Sequence, residues 1–255
     1  MNFTANNSTM IKAIIFDLDG TLIQTEILKA ESYAQAISTL TKGAVYAKQV
    51  LDKFSSYVGL SRHEAVAGLV NEFYPMLYDQ FIGKSTVEIQ QLVLSERLSV
   101  YQQMLQDSEL LSAHFCPFNL GLLHALFNDN YSIALATMSH SKEAESVLGV
   151  MEIQQKLNLI VTRDMVINGK PNPEIYLAVN SSLKIQPHEC LVIEDSVNGI
   201  KAGLNAGMHV FAVTNDITRA SVHDSGLLND EFIVDDLTGL KPRVYQFLKE
   251  LNVKL

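Results

Sequence analysis

Hydrophobic positions along the chain follow two different periods. Short β-branched and aliphatic runs, bounded by polar residues or glycine, occur at 12–16, 131–137, 157–162, 190–193 and 209–213 and read as buried strands. Between the last four, residues 142–150, 173–183 and 197–206 carry apolar positions at helical spacing. Pro173 suits a first helical turn, and Gly207 after Ala206 suits a helix C-terminal cap. Strand then helix, repeated, predicts an α/β core, because parallel neighbours need crossovers that cover both faces of the sheet. The first strand is followed by something different. From 25 to 112 there is almost no strand signal, and helical spacing recurs at 27–40, 44–57, 62–74 and 87–105. An all-helical insert is expected there, with 1–24 and 113–255 forming the core.

Composition narrows the function class. With 255 residues, 47% of them hydrophobic, the chain is too apolar for disorder and long enough for a domain plus an insert. The 19 Lys and Arg against 28 Asp and Glu leave a net charge of -9, so a nucleic-acid partner is not expected. The insert, with 7 basic and 10 acidic residues, is no basic docking module either. Cys116 and Cys190 form no C-x-x-C pair, so neither a disulfide framework nor a thiolate metal site is expected. Residues 1–10 lack the pattern of a secretory signal, and no apolar run approaches the ~20 residues of a membrane helix. A cytoplasmic protein without a membrane partner is the expectation; oligomeric state leaves no mark in the pattern.

Chemistry concentrates where strands end. Asp17 and Asp19 directly follow the first strand, and Glu194 and Asp195 end the run at 190–193. In open parallel sheets, ligands bind at the carboxyl ends of strands. Four carboxylates gathered there repel, and a hard divalent cation, Mg2+ first among them, resolves the conflict. The plainer alternatives are an Asp-Gly turn at Asp19 and Gly20, and helix capping by Asp195 or Ser196. Thr137 closes another strand, where its hydroxyl and the backbone N–H groups of Met138 and Ser139 either form a small anion site or cap a turn. Lys170, set among the turn residues Gly169, Pro171 and Pro173, is either a solvated loop lysine or a partner for phosphate and the first aspartate.

Taken in order, Asp17, Asp19, Gly20 and Thr21, then Thr137, then Lys170 with Pro171 and Pro173, then Glu194, Asp195, Ser196, Gly199 and Ala206 to Met208, resemble the haloacid dehalogenase superfamily. That resemblance implies a Rossmann-like parallel sheet core with the insert as a helical cap domain. It also implies that Asp17 is a nucleophile forming an aspartyl-phosphate, and that Asp19 is general acid and then general base. Mg2+ would be held by Asp17, the Asp19 carbonyl and Asp195, with Glu194 as a further ligand or the acid behind them. Thr137 and Lys170 would complete the phosphate cradle, with Met138 and Ser139 alongside. Because carbon-halogen dehalogenases typically lack the second acid, Asp19 favours phosphoryl transfer to or from a small phosphorylated metabolite.

Val58 to Glu64 resembles the sugar-phosphate loop of β-phosphoglucomutases, which puts Arg62 at an arginine position and Arg97 near a second basic one. Two residues depart from that branch: Gln24 stands where many relatives carry an acid, and Lys29 where the mutases have a histidine. A phosphatase is therefore expected, a phosphosugar mutase is the nearest alternative, and a non-catalytic metabolite-binding member is the remaining one. His140 is either a contact of the phosphate loop or an exposed histidine.

Overall fold

The computed structural model describes residues 10–57 and 61–253; residues 1–9 and Val58, Gly59 and Leu60, part of the stretch expected to resemble a sugar-phosphate loop, lie outside the described residues. By internal contacts the chain divides into Met1–Gln24 with Ser112–Leu255, and Thr25–Leu111.

The first unit is a six-stranded sheet, with β1 (Ala13–Phe16), β2 (Ser132–Ala136), β3 (Leu159–Val161), β4 (Cys190–Glu194), β5 (His209–Val213) and β6 (Ile233–Val234). Its order is β3-β2-β1-β4-β5-β6, and each pair of neighbours is parallel. All four residues of β1 are fully buried, as a central strand covered on both faces requires. Ala13 and Ile15 join Ala134, Ala136, Val192, Val210 and Ala212 in one core cluster with Ile175, Tyr176, Val179, Ile200 and Ala202 from two crossover helices. The order reverses at β1, whose neighbours β2 and β4 start crossovers in opposite directions. In open parallel sheets the ligand crevice lies outside the strand ends at such a switch point.

Thr25–Leu111 has its own core. Here α1 (Thr25–Leu40), α2 (Ala47–Phe54), α3 (Arg62–Glu72), α4 (Tyr74–Gln80) and α5 (Thr86–Met104) enclose Tyr33, Ile37, Val50, Phe54, Leu69, Leu77, Ile89 and Val93. Ser61 and Ser85 start α3 and α5 through reciprocal capping boxes with Glu64 and Glu88. One continuous helix over 62–74 was expected, but the chain breaks at Phe73. Pro75 has no N–H for an uninterrupted helix, and it is tolerated only in the first turn of a new one.

The remaining helices belong to the sheet unit apart from α6 (Ser108–Ala113), which spans the boundary: α7 (Pro117–Asn128), α8 (Ser141–Met151), α9 (Glu174–Leu183), α10 (Val197–Asn205), α11 (Arg219–Asp224) and α12 (Leu240–Val253). Pro173 is the residue before α9 rather than inside it, and Gly207 ends α10 at φ +77°. Among the described residues no helix is long and apolar enough to cross a membrane.

Candidate active site

Asp17 still belongs to the sheet ladder, its N–H bonding the Ile193 carbonyl at 3.0 Å, so its side chain is aimed by the strand. The chain then folds back: the N–H groups of Leu22 and Ile23 both bond the Leu18 carbonyl, and the Gly20 N–H bonds Ile23. Gly20 adopts φ +81°, and a Cβ there would stand 2.0 Å from Asp195 Oδ2. An Asp-Gly turn and a functional acid are therefore one structure, since the turn makes room for a carboxylate from another strand. From α7, the Asn119 amide donates to the Thr21 carbonyl at 2.6 Å. Gln24 donates to the Gly20 carbonyl at 3.0 Å and to the Cys116 sulfur at 3.2 Å. Gln24 thus serves the loop, which an acid at that position could not do as a donor.

Asp19 is held from β2's end. Thr137 Oγ1 donates to its Oδ2 at 3.1 Å and Ser139 Oγ at 2.6 Å, while the Ser139 N–H bonds back to Thr137 Oγ1 at 3.0 Å. The Met138 side chain packs on the core, leaving its backbone to the loop. His140 does not join them. Its ring pairs with Asp164 at 2.6 Å, and Asp164 accepts the first N–H of α8, from Ser141, at 2.7 Å.

Lys170 is no solvated loop lysine. With a side chain only 5% exposed, its ammonium donates to Asp17 Oδ1 at 2.6 Å, Glu194 Oε1 at 2.6 Å and the Ala136 carbonyl at 3.0 Å. An ammonium has three N–H donors, and all three are engaged. The Tyr176 hydroxyl donates to the same Glu194 Oε1 at 3.1 Å, and its ring centroid lies 5.0 Å from the ammonium. Glu194 Oε2 accepts from the Asp195 and Ser196 N–H groups and from the Ser196 hydroxyl. Capping and chemistry are divided here: Ser196 caps α10 by accepting the Gly199 N–H at 3.0 Å, which leaves Asp195 to the site.

Asp17, Glu194 and Asp195 are all buried, and each offers an oxygen within 4.8 Å of the others. With Asp19 close enough to act on Asp17, the site gathers four carboxylates, two of them paired with the Lys170 ammonium. Burial pushes Asp17 up to about 8, Lys170 opposing and Glu194 and Asp19 adding to the rise. Burial works against the charge of Lys170, but Asp17 and Glu194 hold it well above the usual lysine range. The surplus of negative charge and the all-oxygen donor set fit a hard divalent cation.

The helical unit brings Arg62 and Arg97 to one tyrosine. Arg97, 3% exposed, lies between the rings of Tyr33 and Tyr101, at 5.0 and 4.3 Å from their centroids. The Tyr33 hydroxyl donates to the Arg62 carbonyl at 3.5 Å. Lys29 pairs with Glu26 at 2.8 Å. Three residues that sequence reasoning missed serve the sheet unit's site: Tyr176, Asn119 and Asn215, whose amide donates to Asp195 Oδ2 at 3.4 Å. The one sequence signal for Asn215 was its place just past a buried strand.

Residues 14–213 match the family model of haloacid dehalogenase-like hydrolases. The chain is 28% identical over 210 residues to the phosphorylated carbohydrates phosphatase of Thermotoga maritima, covering 81% of this chain and 87% of that protein. It is 29% identical over 208 residues to the β-phosphoglucomutase of Bacillus subtilis, covering 80% and 83%. The crystal structure of β-phosphoglucomutase from Clostridium difficile superposes with a TM-score of 0.65 at 27% identity, over 96% of this chain and 98% of that one.

Proposed function

This chain belongs to the haloacid dehalogenase-like hydrolases, and from that premise we propose that it is a Mg2+-dependent phosphatase of small phosphomonoesters, sugar phosphates first among them. The observation that carries this reading is the convergence of Asp17, Lys170 and the hydroxyl-held Asp19 at one switch point of the sheet.

In this reading, a carboxylate oxygen of Asp17 bonds to phosphorus as the bond to the leaving alcohol breaks. Asp19, aimed by Thr137 and Ser139, gives its proton to that alcohol. The same carboxylate then takes a proton from water as water displaces Asp17 and inorganic phosphate leaves. Asp17, Asp195 and the Asp19 carbonyl would hold Mg2+, with Glu194 behind them, and the cation would supply charge neutralisation for the phosphoryl oxygens. Lys170 keeps Asp17 oriented and lowers the cost of ionising it inside the protein. The backbone N–H of Met138 is assigned to the phosphate cradle, the Ser139 N–H being held by Thr137, and Arg62 and Arg97 are assigned to substrate selection.

Phosphate release from p-nitrophenyl phosphate with Mg2+ tests the assignment. Turnover by the parent and its loss in Asp17→Asn are expected; equal activity in both proteins overturns the nucleophile. A phosphosugar mutase is the second reading, favoured by the two β-phosphoglucomutase relatives and opposed by Lys29, which stands at the mutases' histidine and pairs with Glu26. Incubation with a hexose 1-phosphate and its bisphosphate separates the two: inorganic phosphate supports the phosphatase, and hexose 6-phosphate supports the mutase.

A further inference from the structure

We propose that Tyr176 is a positioning residue that fixes the Lys170 ammonium against the nucleophile, an inference that rests on the phosphatase reading of the same site. Tyr176 is 0% exposed, in the first turn of α9, and no chemical step uses it. Its hydroxyl and the Lys170 ammonium converge on one oxygen, Glu194 Oε1, at 3.1 and 2.6 Å. The tyrosine ring closes off the ammonium from another side, at 5.0 Å. Phenol, carboxylate and ammonium thus locate one another, and Lys170 carries that placement to Asp17 Oδ1.

The remaining contacts make the arrangement specific. Glu194 cannot swing, because its other oxygen takes three donors from Asp195 and Ser196. Lys170 has spent its last donor on the Ala136 carbonyl. The shared oxygen is therefore the one adjustable point between the strand end and the lysine, and the tyrosine O–H occupies it. A buried ring alone would satisfy the core, where Tyr176 packs among aliphatic residues. The hydroxyl is surplus to packing and donates to the carboxylate that holds the lysine.

Tyr176→Phe separates the two roles, since it keeps the ring and removes the donor. Loss of a hydrogen bond to a charged group predicts a fall in kcat of about tenfold. KM for p-nitrophenyl phosphate should stay within about twofold, because the tyrosine touches the nucleophile's partner and not the substrate. In a double-mutant cycle, Tyr176→Phe should slow Glu194→Gln no further, as its effect passes through that carboxylate. The Lys170 ammonium signal in proton-nitrogen NMR, assigned by its loss in Lys170→Arg, should shift or broaden in Tyr176→Phe. An unshifted signal overturns the proposal, as does a kcat within about twofold of the parent or an additive cycle. If the parent hydrolyses no phosphoester, the phosphatase reading falls by itself, and the ammonium signal still decides whether Tyr176 fixes Lys170.

Discussion

Gly199 sits in the first turn of α10, where helix propensity alone favours alanine by about 1 kcal/mol. The site reverses that preference. A Cβ at Gly199 would stand 1.7 Å from Glu194 Oε1, so the carboxylate occupies the space a side chain would need. Gly199→Ala is expected to cost about 1–3 kcal/mol in urea unfolding, and to lower phosphate release as Glu194 is pushed off Lys170. A stabilised variant with unchanged turnover would contradict this. The same scale explains what could be read from the sequence. Asp17, Asp19, Glu194 and Asp195 were legible because acids at the ends of apolar runs are unusual. Tyr176, Asn215 and Asn119 were not, because their acceptors lie 18, 20 and 98 residues away and neither residue type announces a pairing.

Helix α8 shows how an element can be legible while its fastening is not. Its apolar spacing was plain, but its cap is Asp164, from the segment after β3, rather than the preceding His140. The Ser141 N–H, with His140 second, holds the Asp164 carboxyl down at about 2. A depressed acid contributes stability above its ordinary range and loses it as pH falls through the folded value. Asp164→Asn should therefore cost about 1 kcal/mol near neutral pH, typical for a lost cap, with exposure of the pair keeping the effect modest. The gap should close as the pH falls from about 4 towards about 2. Urea titrations of both proteins across that window check it, and a gap that persists at the acid end would show that charge is not the cause. Other elements escaped for simpler reasons. β6 has two residues, too few for any period, and the predicted helix at 62–74 broke where Pro75 interrupts otherwise unbroken helical spacing.

For the molecule as a whole, the net charge of -9 takes on a local meaning. In the proposed reading the acidic cluster beside Lys170 holds a cation in the folded state alone, and folding is then linked to that cation. At a hundredfold excess over the dissociation constant, Mg2+ should add about 2.7 kcal/mol of stability. Thermal unfolding should move upward with Mg2+ in the parent and stay nearly fixed in Asp195→Asn. An equal shift in both would exclude Asp195 as a ligand. The order of elements also governs how the molecule is made. Strand β1 lies at the centre of the sheet, yet its partners are residues 132–135 on one side and 190–193 on the other. At ribosomal rates of roughly 5–20 residues per second, the apolar stretch Ala13–Phe16 waits on the order of ten seconds for its first neighbour and longer for its second. The helices of 25–111 meet their own partners in the meantime. Nascent chains arrested before residue 190 should therefore remain cleavable near β1, with protection arriving only once β4 has left the exit tunnel: the first strand made waits longest for its second neighbour.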